Sequence, residues 1–274
     1  MVHNDFNGVV TDKPGLHHVV RGRGPRLVLA HGFTQNANCW GPFGHELATD
    51  HEVVAVDLPG HGQSNKIYDH ADLATAGTLL AEAGGSGIYV GYSMGGRTAL
   101  HTALQAVEAE PEAIRALVLI GATAGIDDTE ERTARVGRDG ELADRLESKG
   151  LEAFLDGWLT NPLFATLSRT AAAVPQRLEN RTEGLAASLR HRGTGSQTPL
   201  WERLGQLTIP TLVLVGADDH KFVASGKRLV DAIPGAELAT LPAGHAVHLE
   251  SPTASAESIR RFLVRKLGDQ FGEY

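Results

Sequence analysis

The segment Gly91-Tyr92-Ser93-Met94-Gly95 constrains the fold more than any other part of the sequence. The β-prone residues Ile88-Tyr89-Val90 precede it, and a helix-compatible run beginning at Arg97 follows it. A serine between glycines at such a junction is typical of a nucleophile elbow, a strand-to-helix turn so tight that side chains at the flanking positions would clash. This pattern predicts that the Ser93 hydroxyl is exposed above a sheet, with helix N-terminal amides beneath it to stabilise negative charge.

Continuous apolar runs of strand length alternate with helix-compatible segments along the chain. Such runs suit strands that helices cover on both faces, because a strand buried on both sides needs no polar alternation. Their order predicts an α/β fold with right-handed crossovers and a mostly parallel sheet. The strands predicted from these runs are Leu27–His31, Val53–Asp57, Ile88–Tyr92, Leu117–Gly121, Thr211–Gly216 and Glu237–Leu241.

The alternation stops between residues 122 and 207. This stretch has no comparable Val/Ile-rich strand and is dense in Glu, Arg, Leu and Ala, with an aromatic segment at Phe154–Phe164. We interpret it as a helical cap over the carboxyl edge of the sheet, because strand character returns after it. The predicted domains are an α/β core of residues 1–121 and 208–274 and a helical cap insertion of residues 122–207. A chain of 274 residues is long enough for both.

Charge and cysteine content exclude several function classes. A formal net charge of -8 argues against general binding to nucleic acid or anionic membranes, although a basic pocket remains compatible with it. No apolar run approaches membrane-spanning length, and the first residues lack the features of a signal peptide. Cys39 is the only cysteine, so no internal disulfide is expected and the reducing cytoplasm is the predicted location.

A catalytic triad is predicted around Ser93. A serine hydroxyl is too weak an acid to react alone near neutral pH, so it needs a base, and the base needs an acid that orients it. Asp219 directly follows a predicted buried strand, and His245 lies on a loop between a predicted strand and the last helix. The order serine, aspartate, histidine is that of α/β-hydrolases. Asp218 is a rival acid, and His248 is a rival base expected to be an exposed neighbour.

Two backbone amides are expected to form an oxyanion hole beside the Ser93 hydroxyl. One belongs to Met94, the residue after the serine, and the other to Phe33, in the loop after the first buried strand. His31 is expected to be structural, and His61 is a further candidate for contact with the substrate.

Arg97 indicates the charge of the substrate. It follows Ser93 by four residues, one helical turn away on about the same face of the predicted helix. Guanidinium groups bind carboxylates bidentately, and an esterase of neutral esters needs no such cation. We therefore expect a small polyanionic substrate; the alternative is a solvated or salt-bridged helix residue.

These motifs resemble the α/β-hydrolase superfamily over essentially the whole chain. Within it they resemble the MenH family, the 2-succinyl-6-hydroxy-2,4-cyclohexadiene-1-carboxylate synthases of menaquinone biosynthesis. A lysine two residues after the candidate acid belongs to this closer resemblance. The segments that carry it are Gly91–Arg97, Glu130–Arg135, Trp158–Phe164, Ser188–Gly195 with Pro199–Trp201, and Gly216–Phe222.

The resemblance implies an α/β-hydrolase fold that catalyses a lyase reaction without metal or organic cofactor. The substrate would be 2-succinyl-5-enolpyruvyl-6-hydroxy-3-cyclohexene-1-carboxylate, which loses a proton and pyruvate. Ser93, activated by His245 and Asp219, would act as the base. The substrate-binding positions that the resemblance implies are Tyr92, Arg97, Arg135, Trp158 and Lys221.

The main alternative is a carboxylesterase or lactonase that forms an acyl-enzyme on Ser93. The cations Arg97, Arg135 and Lys221 distinguish the two functions, since an esterase of neutral substrates does not require them. A catalytically silent binding protein is disfavoured by the intact serine, acid and histidine. Haloalkane dehalogenases and epoxide hydrolases are disfavoured because they have aspartate where Ser93 stands. The sequence makes no prediction of the oligomeric state.

Overall fold

The protein contains one mixed sheet with helices on both faces. The computed structural model describes residues 9–10, 15–65 and 70–268, and the sheet that these residues form has eight strands. The strands are β1 Val9–Val10, β2 His18–Arg21, β3 Arg26–Ala30, β4 Glu52–Val56, β5 Gly87–Tyr92, β6 Ile114–Ile120, β7 Thr211–Gly216 and β8 Glu237–Leu241.

The spatial order of the strands is β1-β2-β4-β3-β5-β6-β7-β8. Both pairings of β2 are antiparallel, and every pairing from β4 through β8 is parallel. The predicted mostly parallel sheet is therefore confirmed. Because the carboxyl ends of parallel strands meet at one edge, the loops after β3, β5, β7 and β8 lie along the same side of the sheet.

The described residues form ten α-helices. They are α1 Gly41–Leu47, α2 Leu73–Gly84, α3 Met94–Ala109, α4 Thr129–Lys149, α5 Leu151–Leu159, α6 Val174–Arg177, α7 Thr182–Arg192, α8 His220–Ala232, α9 Val247–Glu250 and α10 Pro252–Leu267. Short 3₁₀ helices span Gly62–Ser64, Pro162–Phe164 and Trp201–Gln206. No helix within the described ranges combines the length and apolar character that a membrane span requires.

Two hydrophobic clusters cover the two faces of the sheet. Successive side chains of a strand point to opposite faces, so Leu27 and Leu29 of β3 pack with α1 and α10, whereas Val28 packs with α2, α3 and α8. These three side chains have no exposed surface. The continuous apolar run at this strand is thus explained by burial on both sides.

The segment between β6 and β7 is helical, and α4 to α7 lie within it. Its own small core joins α4, α5 and α7 through side chains that include Leu146, Phe154 and Leu185. Leu204 and Leu207, near the end of the segment, instead belong to a sheet-facing cluster. We propose that residues 122–207 form the cap, with the part after about residue 200 packed as an extension of the core.

Candidate active site

Ser93 lies in a strained turn between β5 and α3. Its backbone has φ 52° and ψ -106°, a conformation that residues other than glycine rarely adopt. A Cβ atom at Gly91 would collide with the carbonyl oxygen of Gly95, and one at Gly95 would collide with the carbonyl oxygen of Ala30. The flanking glycines are therefore required by backbone packing, and the turn presents the half-buried Ser93 side chain at the carboxyl edge of the sheet.

Ser93, His245 and Asp219 form a continuous hydrogen-bonded chain. The Nε2 atom of His245 lies 3.1 Å from Ser93 Oγ, and its Nδ1 atom lies 2.7 Å from Asp219 Oδ2. Asp219 also caps α8, because its Oδ1 atom accepts a hydrogen bond of 3.2 Å from the Phe222 amide. Asp218 is exposed, and it is Asp219 that contacts the histidine. This geometry suits proton transfer from the serine hydroxyl to the imidazole.

His248 does not occupy the exposed position that the sequence suggested. It is fully buried, with its ring 4.4 Å from the Tyr92 ring and 5.2 Å from the Trp40 ring between centroids. Helix α9 begins at Val247, one residue earlier, and the His248 side chain packs within the core. Burial lowers its pKa to about 3, so the imidazole is neutral at physiological pH. The prediction of an exposed rival base is wrong.

Phe33 and Met94 line the same cavity as Ser93. Met94 is the first residue of α3, so its N–H has no partner within the helix. In the part of the chain that the structure describes, neither amide N–H donates to an acceptor. His61 packs behind the Phe33 ring, 6.0 Å between centroids, and is not part of the cavity lining.

A cavity of about 420 Å³ opens above Ser93, within the usual range for small-molecule sites. We call it the inner cavity. Asp219 is the one predicted site residue that does not line it, because this side chain lies behind His245. The predicted residues that do line it are Phe33, Tyr92, Ser93, Met94, Arg97, Arg135, Trp158, Lys221 and His245.

Aromatic rings from the core and the cap form the apolar wall of the inner cavity. Trp158 of α5 stands edge-to-face with Phe33, 5.2 Å between centroids. Phe222 packs 4.4 Å and Tyr92 5.3 Å from the ring of His245. Burial raises the pKa of the Tyr92 hydroxyl, which therefore stays neutral. These contacts hold the imidazole in place from two sides.

The inner cavity is strongly cationic in a protein of net negative charge. Three of its cations, Arg97, Arg135 and Lys221, were predicted. The structure adds Arg138, Arg177 and Arg192, whereas Asp139 is the only carboxylate on the lining among the described residues.

The sequence contained a usable signal for two of the three added arginines. Arg138 follows Arg135 by three residues, so the two side chains are neighbours on the same side of α4. Arg192 falls within the cap segment Ser188–Gly195 that resembles the synthases. Arg177 had no such signal; it lines the cavity, and its guanidinium donates to Thr34 of the core.

Arg97 is a buried cation without a carboxylate partner among the described residues. Its Nη2 atom donates to the carbonyl of Arg192 at 2.9 Å, and its Nη1 atom lies 3.4 Å from the carbonyl of Gly193. Burial, followed by the nearby charge of Arg135, lowers the pKa of Arg97 to about 9. The guanidinium is still charged at neutral pH. An anionic ligand would supply the counter-charge that this cation lacks.

The described residues contain no group of three or more His, Cys, Asp or Glu side chains that could hold a metal ion. The expectation that the reaction needs no cofactor stays a prediction.

Comparison with known proteins identifies the family. The sequence profile described as "Alpha/beta hydrolase family" matches residues 27–258. The chain belongs to the alpha/beta hydrolase family. A relative in Bacillus subtilis (strain 168) is 34% identical over 93% of this chain and 97% of its own, and is named a putative 2-succinyl-6-hydroxy-2,4-cyclohexadiene-1-carboxylate synthase. The synthase of that name from Serratia proteamaculans (strain 568) is 34% identical over 88% of this chain and 93% of its own.

Solved structures of alpha/beta hydrolases agree with this assignment. MenH from S. aureus superimposes with a TM-score of 0.81 at 27% identity, covering 93% of this chain and all of the S. aureus chain. A thermophilic esterase from Thermogutta terrifontis, with malate bound, has a TM-score of 0.76 at 24% identity over 95% of this chain and 98% of its own. The esterase likeness shows the fold alone. The resemblance to the MenH family is confirmed.

Proposed function

We propose that this alpha/beta hydrolase is a lyase of menaquinone biosynthesis. It eliminates pyruvate from 2-succinyl-5-enolpyruvyl-6-hydroxy-3-cyclohexene-1-carboxylate to give 2-succinyl-6-hydroxy-2,4-cyclohexadiene-1-carboxylate. The observation that carries this proposal is a serine–histidine–aspartate chain facing a cavity with six cationic side chains and one carboxylate. The synthase relatives support the same reaction.

The proposed reaction starts with the removal of a ring proton. Ser93 gives its hydroxyl proton to His245 Nε2, 3.1 Å away, and the alkoxide takes the proton next to the succinyl ketone. The electron pair of that C–H bond forms a ring double bond, and the existing ring double bond shifts by one position. The C–O bond to the enolpyruvyl group then breaks, and the leaving enolate takes up a proton to become pyruvate. Asp219 stabilises the imidazolium that forms.

Negative charge develops on the succinyl ketone oxygen as the ring proton leaves. We assign its stabilisation to the amides of Phe33 and Met94, two residues that line the same cavity as Ser93. Because this charge lies on a ketone oxygen beside the base, no acyl-enzyme is needed. The same amides that would hold a tetrahedral ester intermediate therefore serve a proton abstraction.

The substrate carries carboxylates on the ring, the succinyl arm and the enolpyruvyl group. Arg97 is the cation best placed to bind one of them, because it is buried, close to Ser93 and held only by neutral oxygen atoms. Arg135 and Lys221 supply further positive charge, and Tyr92 and Trp158 supply apolar contact. Binding a polyanion inside this cavity relieves the repulsion between the cations.

A carboxylesterase or lactonase is the second candidate function. The serine–histidine–aspartate chain and the two amides are sufficient for ester hydrolysis through an acyl-enzyme. Neutral esters, however, would leave the buried Arg97 without a counter-charge. The cationic lining therefore favours the lyase.

One experiment distinguishes the lyase from the esterase function. The purified protein is given the proposed substrate, with pyruvate release followed by a coupled NADH assay, and in parallel a short-chain nitrophenyl ester. We expect rapid pyruvate release and poor ester turnover. Rapid ester turnover without pyruvate release would overturn the lyase proposal.

We also propose that the protein works in the cytoplasm on a small molecule, without a nucleic-acid or membrane partner. The net charge of -8 and the single cysteine support this location and partner class.

A further inference from the structure

A second cavity, of about 490 Å³, adjoins the inner cavity, and we call it the outer cavity. It contains none of Ser93, His245 and Arg97. Many of its lining residues are exposed, so it lies nearer to the protein surface than Ser93 does. The residues that line both cavities are Thr123, Arg135, Arg138, Thr194, Lys221 and Phe222. A ligand that moves from the outer to the inner cavity must pass these shared residues.

The cations of the outer cavity fall into two classes. Arg228 forms an ion pair with Asp127 and stacks on the ring of Trp201, 3.7 Å from its centroid. Arg135 is paired with Asp139 through a contact of 2.8 Å. Both of these arginines therefore already have a carboxylate partner.

Arg138 and Lys221 form the other class. Both side chains are exposed, and neither has a carboxylate partner within residues 15–65 and 70–268. Arg138 comes from α4 of the cap and Lys221 from α8 of the core. The junction of the two cavities thus has unneutralised positive charge on each side.

Two carboxylates of the outer cavity interact with groups other than Arg138 and Lys221. Asp127 is held by Arg228, and Asp128 caps α4 by accepting a hydrogen bond of 2.7 Å from the Glu131 amide. The three acidic residues of the outer cavity are Asp127, Asp128 and Glu131, and none of them lines the inner cavity. An anion in the outer cavity is repelled by the acidic part and attracted towards the shared cations.

We infer that Arg138 and Lys221 form an outer carboxylate site at the junction of the two cavities. It binds one carboxylate of the polyanionic substrate while the remainder of the molecule enters the inner cavity. This inference rests on the proposed function, because it requires a substrate with more than one carboxylate. The outer carboxylate site acts in substrate capture and not in proton transfer, because Arg138 and Lys221 are absent from the hydrogen-bonded chain that moves the proton.

The test compares Arg138→Gln with Arg145→Gln. Both arginines are exposed on α4, and both substitutions remove one positive charge, but Arg145 lines neither cavity. We expect kcat/KM for pyruvate release to fall about fivefold in Arg138→Gln, as for the loss of one exposed ionic contact, with a smaller change in kcat. Arg145→Gln should match the wild type. The difference should shrink in 0.5 M NaCl, because salt screens exposed charges.

Equal kinetics of the two variants, or a loss in Arg138→Gln that salt does not change, would overturn the outer site. Thermal unfolding of both variants controls for folding. Failure of the wild type to release pyruvate would instead overturn the proposed function. In that event calorimetric titration with tricarballylate tests the outer site directly: weaker binding to Arg138→Gln than to Arg145→Gln supports it, and equal binding contradicts it.

Discussion

The α/β core and the cap meet at the inner cavity but contribute different chemistry to it. The proton-transfer chain comes entirely from loops that follow parallel strands of the core. Most of the cations come from the cap, where Arg135 and Arg138 lie on α4 and Arg192 ends α7. The sheet thus determines where a proton can move, whereas the cap determines which class of molecule is placed there.

Arg97 joins the two regions. Its main chain belongs to α3 of the core, one turn after the serine, but its guanidinium is held by the carbonyls of Arg192 and Gly193 in the cap. A core cation is therefore oriented by cap backbone. Substitutions in the two regions should consequently affect different activities.

The largest effect is expected at the elbow. Ser93→Ala and Ser93→Gly should each reduce pyruvate release by about 10³-fold or more, because the base is lost. Ser93→Gly should be more stable than Ser93→Ala by about 1 kcal/mol, since glycine adopts φ 52° without strain. Pyruvate assays and urea unfolding measure the two effects. Equal stability of the variants would show that the turn stores no strain.

The boundary between core and cap is tested by two buried leucines. Leu204→Ala should lower the global free energy of unfolding by about 3 kcal/mol, because this side chain is fully buried in the sheet-facing cluster. Leu185→Ala removes an equally buried side chain from the cap cluster. We expect its effect on hydrogen exchange to be concentrated in α4, α5 and α7. Increased exchange of the sheet in Leu185→Ala would argue against a separate cap core.

Arg97→Ala should reduce kcat/KM for the polyanionic substrate roughly 100-fold, as for the loss of a buried charged contact. Any slow hydrolysis of a neutral ester should be spared, because the serine, histidine and aspartate remain in place. Arg97→Lys is the control, since it keeps the charge but lacks the planar fork that binds a carboxylate bidentately. Equal loss of both activities in Arg97→Ala would contradict a role in substrate binding.

The burial of His248 should make the stability of the protein depend on pH. Its pKa is about 3 in the folded protein and near 6.5 when unfolded, so the unfolded chain binds more protons below pH 6.5. The free energy of unfolding should therefore decrease as the pH falls from about 6.5 towards 3, by about 1.4 kcal/mol per pH unit from this residue. His248→Phe should flatten the curve by that amount in urea titrations. His220→Gln, at an exposed position, should leave it unchanged.

Local patterns were informative where function depends on a short segment. The elbow, the candidate acid after β7 and the candidate base after β8 were recognised because strands, glycines and loops leave signals within a few residues of each other. Arg97 was recognised for the same reason, since helical geometry links positions four residues apart. Nine of the ten candidate residues line the cavity.

The misjudged or missed residues depend on packing between distant segments. His248 was expected to be an exposed neighbour of His245, yet it is the second residue of α9 and its side chain is fully buried in the core. Arg177 contacts Thr34 across 143 residues of sequence, and no local pattern encodes such a contact.

The Ser93 elbow shows which features the local sequence predicts and which depend on the packing of distant segments. Its residues predicted a strand-to-helix junction, a candidate nucleophile or base, and a cation one turn away, because strand and helix periodicity is a property of neighbouring residues. The environment of that cation depends on folding. The carbonyls that hold the Arg97 guanidinium come from residues 95 and 96 positions later in the chain, and only packing of the cap on the core brings them there.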